Sequence, residues 1–262
     1  MLAYNVQAIV IDLDGTLLNS KKQVSERNKK AILKAHWRGI SIIFATARAP
    51  RSVKVFLPQE LQEIASFVYY NGAFILDETM NYRQHYPIES SITNKIIEYL
   101  ADCSTDLCLS IESEDKWYSN KTIDYSAAMN AVVNPIIVSL AELTQIKASK
   151  ILITQYPSYT EFQKQFAHEV NSVCTDAGAL IQIMAKNVSK ERAVYNLCAR
   201  KKIPMDKVMV FGDDWNDLGL FNACGYPIAM GNAIPELKNI AFFITLTNNE
   251  DGVAEVIERV NI

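Results

Sequence analysis

Three short apolar, largely β-branched runs each break off into a polar cluster, and this pattern constrains the fold more than any other feature. Val6–Ile11 leads into Asp12-Leu13-Asp14-Gly15-Thr16. Ile40–Ala45 leads into Thr46-Ala47-Arg48, and Lys207–Phe211 into Gly212-Asp213-Asp214-Trp215-Asn216-Asp217. Such runs suit strands buried on both faces, as in a parallel sheet. Between the first two, Ala31, Ile32 and Ala35 recur at helical spacing within Ser25–Arg38, and Gly39 stands as a stop. Residues 51–64 read as helical, and Ser66–Tyr70 as a third strand closed by the turn pair Asn71-Gly72. This alternation predicts an α/β fold with a parallel sheet.

The middle of the chain has a different rhythm. It reads as a helix over 89–101, paired strands at 107–113 and 116–119, and a helix over 124–132. A strand at Lys150–Thr154 and a helix at Tyr159–Val170 follow, then a hairpin of Val173–Thr175 with Ala179–Ala185 around Ala177-Gly178. Adjacent strand pairs suit an α+β module. From Ser189 the alternation resumes, with a helix to Lys201, the strand at 207–211, a helix at Asp217–Ala223 and short strands at Pro227–Met230 and Ala241–Ile244. The organisation expected is a core of residues 1–82 and 187–262 interrupted by an inserted domain, 83–186. A chain of 262 residues has room for both.

Charge narrows the partners. With 26 Lys and Arg against 29 Asp and Glu, the net charge of -3 supplies no basic surplus for a nucleic-acid backbone. No run of 18 apolar residues offers a membrane span, and Met1–Gln7 has no basic residue that would suggest a secretory signal. Cys103, Cys108, Cys174, Cys198 and Cys224 form no CxxC pair and lie far in sequence from His36, His85 and His168. Free thiols in a reducing cytoplasm are therefore expected, without a zinc site. Nothing in the sequence points to an obligate protein partner.

In an open parallel sheet the carboxyl ends of the strands share one edge, where ligands bind. Asp12, Asp14, Asp213 and Asp217 are thus expected to converge. Carboxylates this close repel unless a cation lies among them. A hard divalent ion such as Mg²⁺ suits oxygen ligands and a substrate phosphate, and Lys190 near a helix start adds positive charge. Asp12 and Asp14 are two residues apart, so on extended backbone they point the same way. One can attack phosphorus as a nucleophile while the other moves a proton. Asp-x-Asp-Gly also occurs as a solvated turn or in a calcium loop. A calcium loop counted from Asp12 needs Glu at its twelfth position, and Gln23 stands there.

Asp12-Leu13-Asp14-Gly15-Thr16-Leu17, Thr46, Lys190 and Gly212-Asp213-x-x-Asn216-Asp217, in this order, resemble the haloacid dehalogenase superfamily, and within it the Cof-type phosphatases. Ile228–Ala233, Ala241, Thr247-Asn248-Asn249 and Asp251–Ala254 are similar to that subfamily's ending. The resemblance implies a Rossmann-like parallel-sheet core with an inserted α/β cap domain that selects the substrate. It implies a cytoplasmic, Mg²⁺-dependent phosphatase of small phosphorylated metabolites such as sugar phosphates. Asp12 would become the phosphoaspartyl intermediate, and Asp14 would be general acid/base and a metal ligand through its carbonyl. Thr46, with backbone amides near Leu13 and Ala47, would hold the phosphoryl group, and Lys190 would screen its charge. Asp12 and Asp213 would ligate the metal, Asn216 would contact phosphate, and Asp217 would orient Lys190 or a metal-bound water. A phosphomutase of the same superfamily and a weakly catalytic sensor of phosphorylated metabolites are the alternatives.

The chain departs from that pattern in places. Ala47 stands where the family often has glycine, Glu191 follows Lys190 where glycine is usual and is expected to face solvent, and Leu220 replaces a methionine. Arg48 can reach phosphate or pair with a carboxylate. Trp215 and the cap residues Trp117, Tyr118 and Tyr125 can line a pocket or simply pack. Asn71 can touch substrate or serve the turn. Asp214, His85 and His168 are expected to play ordinary structural or solvated roles.

Overall fold

A computed structural model describes residues 5–103, 108–124, 133–154, 156, 158–175 and 180–259. Most of the expected helix at 124–132, the Ala177-Gly178 turn and Tyr125 lie outside these residues. The described chain forms two units, residues 1–84 with 189–262, and residues 85–188.

The first unit is built on an eight-stranded sheet ordered β14-β13-β12-β1-β2-β3-β4-β5. Its central members are β1 (Ala8–Ile11), β2 (Ser41–Ala45), β3 (Ala65–Tyr69) and β12 (Val208–Gly212). On the outer sides lie β4 (Phe74–Asp77) and β5 (Tyr82–His85), and β13 (Tyr226–Ala229) and β14 (Phe243–Ile244). From β14 to β3 every pairing is parallel. All four β1 residues are buried, as expected for a strand covered on both faces.

Register fixes where the chemistry can lie. Ile11 is abreast of Phe44 on one side and Phe211 on the other. The residues just beyond these three strands therefore leave the sheet at the same edge. The chain's order reverses at β1, whose neighbours are β2 and β12, and such a switch point opens a crevice at the strands' carboxyl ends.

Several elements differ from the sequence reading. The helix expected over 51–64 is two, Pro50–Phe56 and Gln59–Ile64, because Pro58 forces Leu57 into extended backbone at φ -94° and ψ 127°. The sheet is not wholly parallel: β4 runs antiparallel to β3 after a tight turn. In that turn Asn71 takes φ 53° and Gly72 φ 112°. Gly72 is obligatory there, since a Cβ would strike the Ser189 carbonyl. Strands β4 and β5 and the helices Pro235–Ile240 and Gly252–Arg259 were not foreseen.

The second unit is an α+β layer pair. Its sheet is ordered β10-β11-β9-β6-β7-β8: Val170–Thr175, Leu180–Ala185, Lys150–Thr154, Cys108–Ser113, Lys116–Ser119 and Ile136–Ile137. The pairings are antiparallel except β7 with β8. Ile96 and Leu100 from helix Ser90–Cys103, and Phe162 and Phe166 from helix Tyr159–Phe166, pack with Ile111, Ile151, Ile153 and Ile183. That second helix stops at Phe166, short of the expected Val170, which instead pairs with Ala185. Cys108, Cys174, Cys198 and Cys224 are not in disulfides. No helix among the described residues is long and apolar enough to cross a membrane.

Candidate active site

Asp12 leaves β1 still paired, its amide donating to the Phe211 carbonyl at 3.1 Å, and its side chain is buried. Lys190 reaches it from the first turn of helix Lys190–Lys201, whose Ser189 cap accepts from the Arg192 amide at 3.2 Å. The fully buried Lys190 Nζ donates to Asp12 Oδ1 at 2.6 Å and to Asp217 Oδ1 at 2.8 Å. Asp217 Oδ2 accepts the Asp213 and Asp214 amides at 3.1 and 3.4 Å. Asp217 thus ties the β12 exit loop to the lysine.

Asp213 completes the group. Its Oδ1 accepts from the Thr16 hydroxyl at 2.9 Å, a contact the sequence reading missed. Carboxylate oxygens of Asp12, Asp213 and Asp217 all lie within 4.8 Å of one another. Gly15, at φ 77°, leaves no room for a side chain, since a Cβ would collide with the Asp213 carboxylate.

Three carboxylates face one ammonium. Burial pushes the Asp12 carboxyl well above its ordinary value; the charges of Asp217 and Asp213 push the same way, and Lys190 opposes them. Burial likewise raises Asp213 to about 6, with Thr16 opposing and the Asp217 and Asp214 charges adding to the rise. Burial alone would lower Lys190, but Asp12 and Asp217 outweigh it and hold the ammonium above its usual range. An all-oxygen donor set with surplus negative charge, in which Asp12 and Asp213 resist ionising, fits a hard divalent cation.

A pH dependence follows. Folded Asp213 titrates near 6 against an ordinary value of 3.8, so between these values the folded chain binds more protons than the unfolded one. The cation-free protein should therefore lose stability as pH rises from about 4 to 6. A divalent cation bound here would have to displace that proton, so any stabilisation by Mg²⁺ should fade as pH drops below about 6. Melting temperatures from pH 4 to 8, with and without Mg²⁺, check both signs; Asp213→Asn should flatten the difference.

Asp14 lies apart from this cluster. Arg48 Nε donates to its Oδ2 at 2.6 Å, and Arg48 Nη2 and Lys22 Nζ donate to its Oδ1, each at 2.7 Å. Burial works to raise the Asp14 carboxyl, but these cations outweigh it and hold it below its usual range. Of the two partners open to Arg48, the structure shows a carboxylate. Thr46 is buried, and its hydroxyl accepts the Arg48 amide at 3.1 Å. Leu13 turns its side chain into the core, leaving only backbone for a ligand, and Ala47 follows Thr46 at the β2 exit. Asn216 Nδ2 donates to Asn71 Oδ1 at 3.1 Å, so the turn residue and the β12 loop meet.

Trp215 is 59 % exposed, Glu191 is exposed, and Leu220 is buried. In the second unit His85 Nε2 lies 2.8 Å from Ser149 Oγ, a partner not visible in sequence. His168 is exposed, Trp117 is buried, and Tyr118 packs on that unit's core.

A family model described as haloacid dehalogenase-like hydrolase matches residues 9–257. Phosphatase YwpJ of Bacillus subtilis (strain 168) is 26% identical over 97% of this chain and 99% of its own. The same organism's 5-amino-6-(5-phospho-D-ribitylamino)uracil phosphatase YwtE is 28% identical over 97% of this chain and 98% of its own. The crystal structure of TM0651 from Thermotoga maritima superposes with a TM-score of 0.89 at 27% identity, covering 98% of each chain.

Proposed function

We propose, for a chain that belongs to the haloacid dehalogenase-like hydrolase family, a Mg²⁺-dependent phosphatase activity on small phosphorylated metabolites, sugar phosphates among them. The observation that carries this reading is the buried Lys190 ammonium between Asp12 and Asp217, with Asp213 completing the carboxylate group at one sheet edge. The substrate class is supported by YwtE, a relative named for a phosphorylated ribityl compound.

Asp12 is the nucleophile in this reading. It sits at the exit of β1, and its Oδ1 is held by Lys190. Thr46 and amides near Leu13 and Ala47 orient the phosphoryl group, and Asn216 contacts it. Lys190 offsets charge as the phosphoaspartyl anhydride forms, and Asp217 keeps that ammonium in place. Asp14 gives a proton to the leaving oxygen and takes one from water. Asp12, Asp213 and the Asp14 carbonyl would hold Mg²⁺, which when bound would screen carboxylate and phosphoryl charge. Positioning and charge stabilisation account for most of the catalysis expected of phosphoryl transfer. The unit of residues 85–188 is proposed to choose the leaving group. A cytoplasmic setting is proposed from the sequence, whose five scattered cysteines form no CxxC pair.

The test is phosphate release from an aryl phosphate and a panel of phosphorylated metabolites, with and without Mg²⁺. Release should require the ion, and one sugar or ribityl phosphate should exceed the aryl ester in kcat/KM. Metal-independent release, or none from any ester, would overturn the reading.

A further inference from the structure

We propose that Arg48, assisted by Lys22, is a positioning residue for Asp14 that serves hydrolysis of the phosphoenzyme, and not a ligand of the phosphoryl group. The proposal rests on the reading above, in which Asp12 carries the phosphoryl group and Asp14 moves the proton. Its basis is the geometry around Asp14. The Arg48 fork meets both carboxylate oxygens, at 2.6 and 2.7 Å, and Lys22 adds a third donor at 2.7 Å. A bidentate pair of this kind fixes the plane of the carboxylate as well as its charge.

Arg48 is itself held from several sides. Its guanidinium carbon lies 4.5 Å from the centroid of the Phe56 ring. Its amide donates to the Thr46 hydroxyl at 3.1 Å, and its carbonyl accepts the Tyr70 amide at 3.2 Å. Lys22 comes from a turn closed by Asn19, whose Oδ1 accepts the Lys21 and Gln23 amides at 2.9 and 3.0 Å. At φ 57° Lys22 is left-handed, a conformation uncommon outside glycine. Two separate loops, one after β1 and one after β2, are thus shaped to bring cations to one carboxylate.

A carboxylate offers about four acceptor sites. The three N–H donors leave one, on Oδ2, for a water. In the second half-reaction that water's oxygen bonds to phosphorus while one of its protons passes to Asp14. The bond between phosphorus and the Asp12 oxygen breaks, its electron pair returns to Asp12 as carboxylate, and inorganic phosphate leaves. Fixing Asp14 as an acceptor favours this step. Departure of a good leaving group gains little from it.

Rapid-quench kinetics with 4-nitrophenyl phosphate and Mg²⁺ test the assignment, because nitrophenolate departs without needing a proton. Arg48→Met should still form phosphoenzyme, giving a nitrophenolate burst and an accumulated acid-stable phosphoprotein. Its kcat should fall about tenfold to a hundredfold and KM should fall with it, leaving kcat/KM changed less than about threefold, because kcat/KM reports only the steps up to phosphoenzyme formation. Arg48→Lys should recover part of kcat. Lys22→Met, at an exposed turn, should give the same signature at smaller amplitude even if Arg48→Met fails to fold. A rise in KM of about tenfold or more without accumulated phosphoenzyme would overturn the proposal. Native enzyme that releases phosphate without ever forming a phosphoenzyme would instead overturn the role given to Asp12.

Discussion

Asp12→Asn is expected to lower phosphatase turnover by at least about 10⁴-fold, the largest effect of any single substitution in this chain. An amide is a poor nucleophile toward phosphorus, and no other carboxylate stands where Asp12 does. Asp217 has both oxygens engaged, by Lys190 and by two backbone amides. Asp213 is turned toward Thr16. The fold should survive the change, since the amide oxygen can still accept from Lys190 Nζ and loss of one buried negative charge relieves the carboxylate group. Rates with an aryl phosphate, together with the melting temperature, check both halves. Substantial activity in a folded Asp12→Asn protein would remove Asp12 as the nucleophile.

Lys190→Met should damage both catalysis and stability. The ammonium is fully buried and shared by two carboxylates 27 and 178 residues away in sequence. Removing it leaves two buried acids with no cation between them, a loss expected to cost about 3–5 kcal/mol. Turnover should fall about 10²- to 10³-fold, as when one charge-stabilising donor is lost from an active site. The two effects can be separated. Adding Asp217→Asn to Lys190→Met removes one of the stranded charges and should restore part of the stability without restoring turnover. Denaturant melts and steady-state rates on the single and double variants decide the matter. Equal recovery of both quantities would show that Lys190 acts only through the fold.

The sheet edge was legible because its strands announce themselves: buried apolar runs that stop abruptly at aspartates leave little choice of where those aspartates go. Register then follows, and with it the meeting of Asp12 and Asp213. Harder to read were contacts made by residues with no pattern of their own. Thr16 and Lys22 sit in an irregular loop, and nothing in their local sequence says that one hydroxyl faces Asp213 and one ammonium faces Asp14. Arg48 had two chemically reasonable partners, and only the approach of the β2 exit to the β1 exit brings it to the Asp14 carboxylate. Among the elements, β5 was missed because Tyr82-Arg83-Gln84-His85 carries no apolar run, and β4 because it begins directly after a turn. The split at Pro58 was available from the sequence, since the residue before a proline disfavours the helical region.

The central position of β1 has a consequence for how the protein is made. One neighbour, β2, follows within 40 residues, but the other, β12, begins at Val208, after the whole of the unit formed by residues 85–188. A nascent chain leaving the ribosome therefore carries β1 with one open hydrogen-bonding side through most of its synthesis. Unpaired apolar edges are where growing chains stick to one another. The later β12 arrives, the longer that edge stays open, so slow translation between residues 85 and 207 should favour aggregation and chaperone capture of this protein more than slow translation after Gly212.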